Sequence, residues 1–375
     1  MKKSFRFAAA VTAVATMIAC FAGCGESRTK TGDGTYFIGA TGPLTGDVAQ
    51  YGISVKNGAQ LAIDEINAAG GLNGAKFKFE MRDDKGVAAE AATGYDSLFD
   101  AGMQISLGSV TSGACEAFGT KAAQDNLFFI TPSASAASVI ETGDSAFRVC
   151  FGDPDQGVLA AKELTEKFKN IGCIYDTSDT YSSGIYEAFK AEMDKLGVSF
   201  KTQTFDKENN KDFSVQVEAL KDCDAIFTPF YYTEAGLVAK ACAKKGCSAL
   251  IFGCDGLDGV KTQLDDTVTN HVKYITPFDV TSADEKTAAF VKAYKAAYGS
   301  DPDQFAADGY DAVYVVYEAM KAAGVNDTGI SASDLSDLVK AAITADSFSY
   351  AGVTGKMTWD ASGACNKVPV IVDVR

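Results

Sequence analysis

Histidine is nearly missing from this chain: His271 is the one copy in 375 residues. That excludes every mechanism needing two imidazoles, HExxH metalloproteases and His-rich zinc sites among them. Basic residues are also short, 34 Lys and Arg against 49 Asp and Glu, for a formal charge of −15. A field of that sign repels phosphate backbones, so no nucleic-acid partner is expected. With 7 Pro beside 36 Gly there is no collagen-like or low-complexity bias, and disorder of the whole chain is excluded. Beyond residue 23 no uncharged stretch approaches the roughly 20 apolar residues of a membrane span. The patterns GxxxxGK[ST], GxSxG and strand-linked GxGxxG are absent, so nothing is set up to cradle a phosphate, raise a nucleophile elbow or hold a dinucleotide. No catalytic residue, cofactor or metal site is expected, and the chain does not read as an enzyme.

What is present begins with an export signal. Lys2, Lys3 and Arg6 precede an uncharged, Ala-rich run from Phe7 to Gly23, the charged and apolar regions of such a segment. Phe21-Ala22-Gly23-Cys24 places small residues before a cysteine and resembles the bacterial lipobox, in which that cysteine is lipidated and becomes the mature N-terminus. Simple secretion with ordinary cleavage nearby is the alternative. Residues 1–23 are therefore expected to be the signal and 24–34 a lipid-anchored tether, since GESRTKTGDG has no apolar side chain to bury. Of the ten cysteines, those after Cys24 are scattered among apolar neighbours, and most are expected to be buried free thiols acting as small hydrophobes. Cys242-x4-Cys247 with Cys254 is an incomplete metal pattern, because no second CxxC or usable histidine joins it.

After the tether, short apolar runs alternate with helical spacing. Tyr36, Ile38 and Ala40 alternate as in a strand, then Val55, Ala59, Ala62 and Ile66 recur as on a helix before Gly70-Gly71. Further strands are expected at 77–81, 105–107 and 127–130, with helices over 87–101 and 112–125. The pattern then restarts, with strands at 171–175, 200–205, 225–228 and 250–253 and helices over 183–196, 212–220 and 233–245. Helices over 284–298 and 306–323 complete it. Two such series predict an α/β chain of two doubly wound parallel-sheet lobes, with breaks at Pro132, Asp153-Pro154 and Pro277. Ligands of such sheets bind beyond the carboxyl ends of the strands.

The loops at those ends divide by charge. Gly108-Ser109-Val110-Thr111-Ser112-Gly113 ends one strand, and the helix starting near Ser112 would direct free N–H groups and its positive dipole end toward an anion. Thr131-Pro132-Ser133-Ala134-Ser135 forms a second hydroxyl-rich turn at the same edge. Ser112 and Ser135 could equally do no more than cap their own helices. In the second lobe, Gly253-Cys254-Asp255-Gly256 would project Asp255 toward a cation. Tyr181 and Tyr231 supply amphipathic rings, although a tyrosine alone is more often a half-buried surface aromatic. Donors for an anion on one lobe and a carboxylate on the other suit a zwitterion, most simply an α-amino acid.

These residues resemble a known family, the substrate-binding lipoproteins of ABC importers with the type 1 periplasmic-binding-protein fold, and within it the branched-chain amino-acid (Leu/Ile/Val) group. The markers are Ile38 through Gly46 (IGATGPLTG), Gln50-Tyr51-Gly52, the stretch Asn57 to Gly71, Asp83-Asp84, Ile130 to Ser135, Asp155-Gln156-Gly157 and Tyr310-Asp311-Ala312. The resemblance implies that Ser112 and Ser133-Ala134-Ser135 hold the ligand's carboxylate and ammonium, that Asp255 meets the ammonium, and that Tyr51, Tyr181 and Tyr231 line the cleft. Asp153 aligns with an acid at the first of three interlobe crossings, implied near 152, 277 and 351. Lobe I would then be 35–152 and 277–351, and lobe II 153–276 and 352–375, closing by hinge bending. Implied partners are an amino-acid ligand, the permease and ATPase subunits of an ABC importer, and the outer face of the cell membrane through Cys24, with the protein a monomer. Three departures stand out. Gly86 and Thr111 stand near where some members have a disulfide, Asp255 stands where some have Glu, and Ala307 is small where certain members carry a large aromatic, so that the side-chain pocket would be wider or filled differently. A same-fold receptor for another small polar solute (an aromatic amino acid, an amide or a urea-like compound) and a sensory ligand-binding module remain alternatives.

Overall fold

The computed structural model describes residues 34–374; the export signal, Cys24 and the tether up to residue 33 lie outside the described residues. The first sheet is built from β1 (Thr35–Gly42), β2 (Lys76–Asp83), β3 (Ile105–Ser106), β4 (Phe129–Thr131) and β5 (Ala146–Arg148). Between its strands lie α1 (Ala49–Ala68), α2 (Ala88–Asp100), α3 (Ser112–Gln124) and the short α4 (Ala137–Ile140). The second series runs α5 (Asp153–Lys167), β6 (Ile171–Asp176), α6 (Thr180–Leu196), β7 (Lys201–Phe205), α7 (Ser214–Leu220), β8 (Ala225–Thr228), α8 (Tyr232–Lys245), β9 (Leu250–Gly253) and β10 (Val272–Thr276). Then come α9 (Glu285–Tyr298), α10 (Gln304–Ala322), α11 (Ala332–Ile343), the hairpin β11 (Tyr350–Gly352) and β12 (Gly355–Met357), and finally β13 (Val370–Asp373).

Both sheets share one winding. The first has the order β2-β1-β3-β4-β5 and is wholly parallel. In the second, β7-β6-β8-β9-β10 repeats that order in parallel, and β13 adds an antiparallel edge beside β10. The strand order reverses around β1 and around β6, which opens a crevice at the carboxyl ends of β1 and β3 and of β6 and β8. The central strands are buried almost continuously rather than alternately, Tyr36, Phe37, Ile38 and Ala40 of β1 all being at most 1% exposed, as expected of parallel strands covered by helices on both faces.

The helix α5 was not expected, because Asp153-Pro154 reads as a break. Pro154 sits in the first turn, where its missing N–H has no helical partner to lose, and Asp153 and Asp155 complement the helix's positive end. Strands β5 and β10 and helix α11 were also not anticipated. The third crossing falls later than the expected 351. Asp311 of α10 accepts hydrogen bonds from the backbone N–H of Val353 and Thr354, both at 2.9 Å, and Trp359 Nε1 donates to the Arg148 carbonyl at 2.7 Å. Lys367 and Asp308 of α10 form an ion pair of 2.8 Å that is almost fully buried. The hairpin and its continuation thus stay with the first lobe, and the chain changes sheets only on the way into β13.

Candidate functional site

The crevice between the sheets narrows to a small, tightly closed cavity lined by Tyr51, Val110, Thr111, Ser112, Ser133 and Phe305 from the first lobe and Tyr181, Tyr231, Asp255 and Gly256 from the second. Hydroxyl groups shape the first wall. Ser106 Oγ donates to the Gly39 carbonyl (2.7 Å) and accepts from Gly108 N–H (2.9 Å), and Thr131 Oγ1 donates to the Ser109 carbonyl (2.7 Å) and accepts from Ala134 N–H (3.0 Å). Ser133 Oγ donates to the Val110 carbonyl at 2.8 Å. These bonds bind the two loops to each other and present α3 end-on to the cavity. Neither Ser112 nor Ser135 caps a helix: the caps are Thr111 and Ala136, both without side-chain bonds. Ser112 Oγ instead accepts from Ala136 N–H at 3.2 Å, tying the turn after β4 to the start of α3.

Asp255 dominates the opposite wall. It is 5% exposed, and its Oδ1 accepts from Tyr181 OH (2.7 Å) and Gln156 Nε2 (3.0 Å), while Gln156 Oε1 accepts the Asp255 N–H (3.0 Å). Burial pushes the carboxyl up to about 6, and the Tyr181 and Gln156 hydrogen bonds offset part of that rise. Asp153, at the start of α5, is 1% exposed with no hydrogen bond to either carboxylate oxygen. Burial raises it well above the carboxylate range; the nearby Ser135 hydroxyl helps the charged form and the Asp255 charge opposes it. Ser135 Oγ and Thr111 Oγ1 are likewise buried and unpartnered. Each such group costs about 1–3 kcal/mol until something pairs with it.

Aromatic rings close the space between the walls. Tyr181 and Tyr231 stack at 5.2 Å, Tyr51 meets Tyr231 edge-on at 5.7 Å, and Phe305 stacks on Tyr51 at 4.1 Å. Tyr231 turns its hydroxyl away to Asp179 Oδ2 at 3.3 Å, leaving its ring toward the cavity. Tyr51 OH donates to the Gly256 carbonyl (2.5 Å) and accepts from Tyr232 N–H (3.2 Å), and Gln304 Nε2 donates to the Asp255 carbonyl (2.5 Å). The lobes therefore touch through hydrogen bonds on either side of the cavity. Thr111 and Tyr231 also border a wider vestibule, where Asp47, Glu116, Asp176, Asp179 and Glu234 outnumber Lys85 and Lys207.

Of the residues anticipated from sequence, Tyr51, Ser112, Ser133, Tyr181, Tyr231 and Asp255 share this cavity. Ser135 and Asp153 are buried off its lining, and Ala134 is fully buried with its N–H on Thr131. Tyr181 lies in the first turn of α6 rather than in a loop, because Asp179 caps that helix through Ser182 N–H at 2.9 Å. Val110, Thr111, Gly256, Phe305 and the orienting Gln156 were missed as site residues. Thr111 and Val110 were within reach, being part of the Gly108–Gly113 loop. Around Ala307 the pocket is filled differently rather than widened: Ala307 is fully buried off the lining, and the aromatic wall comes from Phe305, two residues earlier on α10.

Known proteins place this geometry. The family model described as "Periplasmic binding protein" matches residues 35–369. The Leu/Ile/Val-binding protein BraC3 of Rhizobium johnstonii is 31% identical over 328 residues, 86% of this chain and 88% of the relative. The branched-chain amino acid transporter substrate binding protein LivJ of Streptococcus pneumoniae, solved in complex with isoleucine, superposes with a TM-score of 0.77 at 29% identity, covering 90% of this chain and 99% of that one. A solute binding protein of an R. palustris ABC transporter, solved with benzoate, gives a TM-score of 0.80 at 20% identity over 91% of this chain and 93% of the other, a likeness of fold alone.

Proposed function

The chain belongs to the periplasmic binding protein family, and from that premise we propose that it is an extracytoplasmic receptor for a small aliphatic α-amino acid, which it passes to the permease and ATPase of an ABC importer. Membrane attachment through a lipid on Cys24 and a monomeric state are part of the proposal. The observation that carries it is the division of charge across one small cavity. Asp255 is buried and oriented by Tyr181 and Gln156, opposite the uncapped start of α3 and the unpartnered Thr111 hydroxyl. An ammonium would pair with Asp255, and a carboxylate would take the α3 N–H groups without any buried Lys or Arg. An aliphatic side chain would pack against Val110, Phe305 and the tyrosine rings. The names of the relatives, Leu/Ile/Val-binding and isoleucine-bound, support the same ligand class.

The test is thermal unfolding of protein that has been unfolded and refolded to strip carried ligand, with each common amino acid added in turn. A ligand at 100 times its Kd stabilises by about 2.7 kcal/mol, a shift of several degrees. The expected result is a shift for Leu, Ile and Val and none for their carboxylic acids lacking the amine. Silence across all amino acids would overturn the reading.

A further inference from the structure

Helix α8 leads away from the cleft, where Tyr231 and Tyr232 sit, and stops at Gly246, whose φ of +70° requires glycine. Cys247 N–H donates to the Cys242 carbonyl at 3.0 Å and Gly246 N–H to the Ala243 carbonyl at 3.3 Å. This is a Schellman closure, a motif that packs the residue after the glycine against the residue five positions before it, usually as an apolar contact. Here both positions are cysteines, 0% and 3% exposed, which the closure brings together in place of that apolar contact. The second thiol is held in place independently. Buried Asn270 donates to the carbonyls of Cys247 (2.9 Å) and Ala249 (2.7 Å), fixing the segment that carries it.

We propose that Cys242 and Cys247 are a modification site, oxidised outside the cytoplasm to a disulfide that staples the end of α8 to the approach to β9. The oxidant is a disulfide-bearing thiol reagent or exchange protein. The Cys247 thiolate attacks one sulfur of that disulfide, forms a mixed disulfide and expels one thiolate. Cys242, deprotonated, then attacks the Cys247 sulfur and expels the second. Two protein thiols are oxidised, the reagent's S–S bond is reduced to two thiols, and the two protons pass to those leaving groups. Cys247 is the attacking group because the interaction between the two thiols favours its thiolate, whereas that interaction and burial push Cys242 up. Cys223 is the neighbouring thiol that could compete.

The experiment equilibrates the full chain with oxidised and reduced glutathione at several ratios, alkylates it in denaturant without reduction and digests it with trypsin. The expected product joins Ala241–Lys244 to Gly246–Lys261 with the loss of two hydrogens, Cys254 in the longer peptide being alkylated. The oxidised protein should melt about 3 °C above the reduced one, and Cys247→Ser should abolish that difference. Alkylation of both thiols at every ratio, pairing of Cys247 with Cys223 or Cys254, or a cross-link that leaves the melting temperature unchanged would each overturn the proposal. Should Cys247→Ser fail to fold, the peptide map and melting of the wild-type chain decide the matter alone.

Discussion

Replacing Asp255 with Asn tests the site through two effects of opposite sign. The amide keeps the size of the side chain and an acceptor for Tyr181 OH, so the perturbation is the charge. With the proposed ligand bound, the substitution leaves a desolvated ammonium without its counter-ion. Breaking a buried pair from one side costs about 3–5 kcal/mol, which is about 150-fold to 4000-fold in Kd. Without ligand the sign reverses. Burial raises the Asp255 carboxyl from 3.8 to about 6, so holding it ionised at pH 7 costs about 2–3 kcal/mol. Because the folded value lies above the unfolded one, this group's contribution is fully favourable below about pH 4 and is lost as the pH rises through about 6. Asp255→Asn should therefore be more stable than wild type at pH 7 in the ligand-free state and no more stable at pH 4. Wild-type affinity should also weaken as the pH falls below about 6, up to about tenfold per unit, as the carboxylate is protonated. Titration calorimetry with leucine and denaturant melts at the two pH values measure both effects. Binding by the variant within tenfold of wild type would refute the assignment.

Other predictions follow from the same geometry. Ser135→Ala removes a buried hydroxyl without a partner, so ligand-free stability should hold or rise by about 1 kcal/mol in chemical denaturation, while leucine affinity drops if that hydroxyl serves the ligand. Tyr51→Phe deprives the Gly256 carbonyl and Tyr232 N–H of their bridging partner. It should bias the lobes apart by about 1–2 kcal/mol, read as a larger radius of gyration in X-ray scattering and about tenfold weaker binding. Lys367→Met leaves Asp308 buried without its ion-pair partner and should cost about 3–5 kcal/mol of stability in urea melts, with Lys367→Met/Asp308→Leu recovering most of it.

Most of the fold was legible because long amphipathic helices and fully apolar strands leave strong periodic signals. Helix α1, with Val55, Ala59, Ala62 and Ile66 on its inner face, and strand β1 follow that pattern. Short strands that are wholly apolar, such as β8 and β9, were legible, whereas β13, at a partly exposed sheet edge, carries no such run, and its existence depends on the neighbouring strand. Helix α5 was hidden by a proline that is harmless only in the first turn. For the site, residues in the loops at the carboxyl ends of strands could be found, as with Ser112 after β3 and Ser133 after β4. Phe305 could not, since it reaches the cavity from a helix whose position depends on packing between distant segments, and the same packing gives Gln156, quoted only as a marker, its hydrogen bond to Asp255. The failure of Ser112 to cap its helix has a similar cause: a contact with Ala136 across two loops takes its hydroxyl instead.

The late entry of β13 into the second sheet has a consequence for how the chain folds. Its partner β10 ends at Thr276, yet β13 begins at Val370, and α10, which packs against α1, is made only after the whole second series. Neither lobe is complete in any leading portion of the polypeptide. A nascent chain cannot finish one lobe and then start the next, and most of its stabilising pairings span long stretches of sequence, which slows folding. No leading portion of the polypeptide therefore holds a finished lobe, and the second sheet gains its last edge only when β13 has been made.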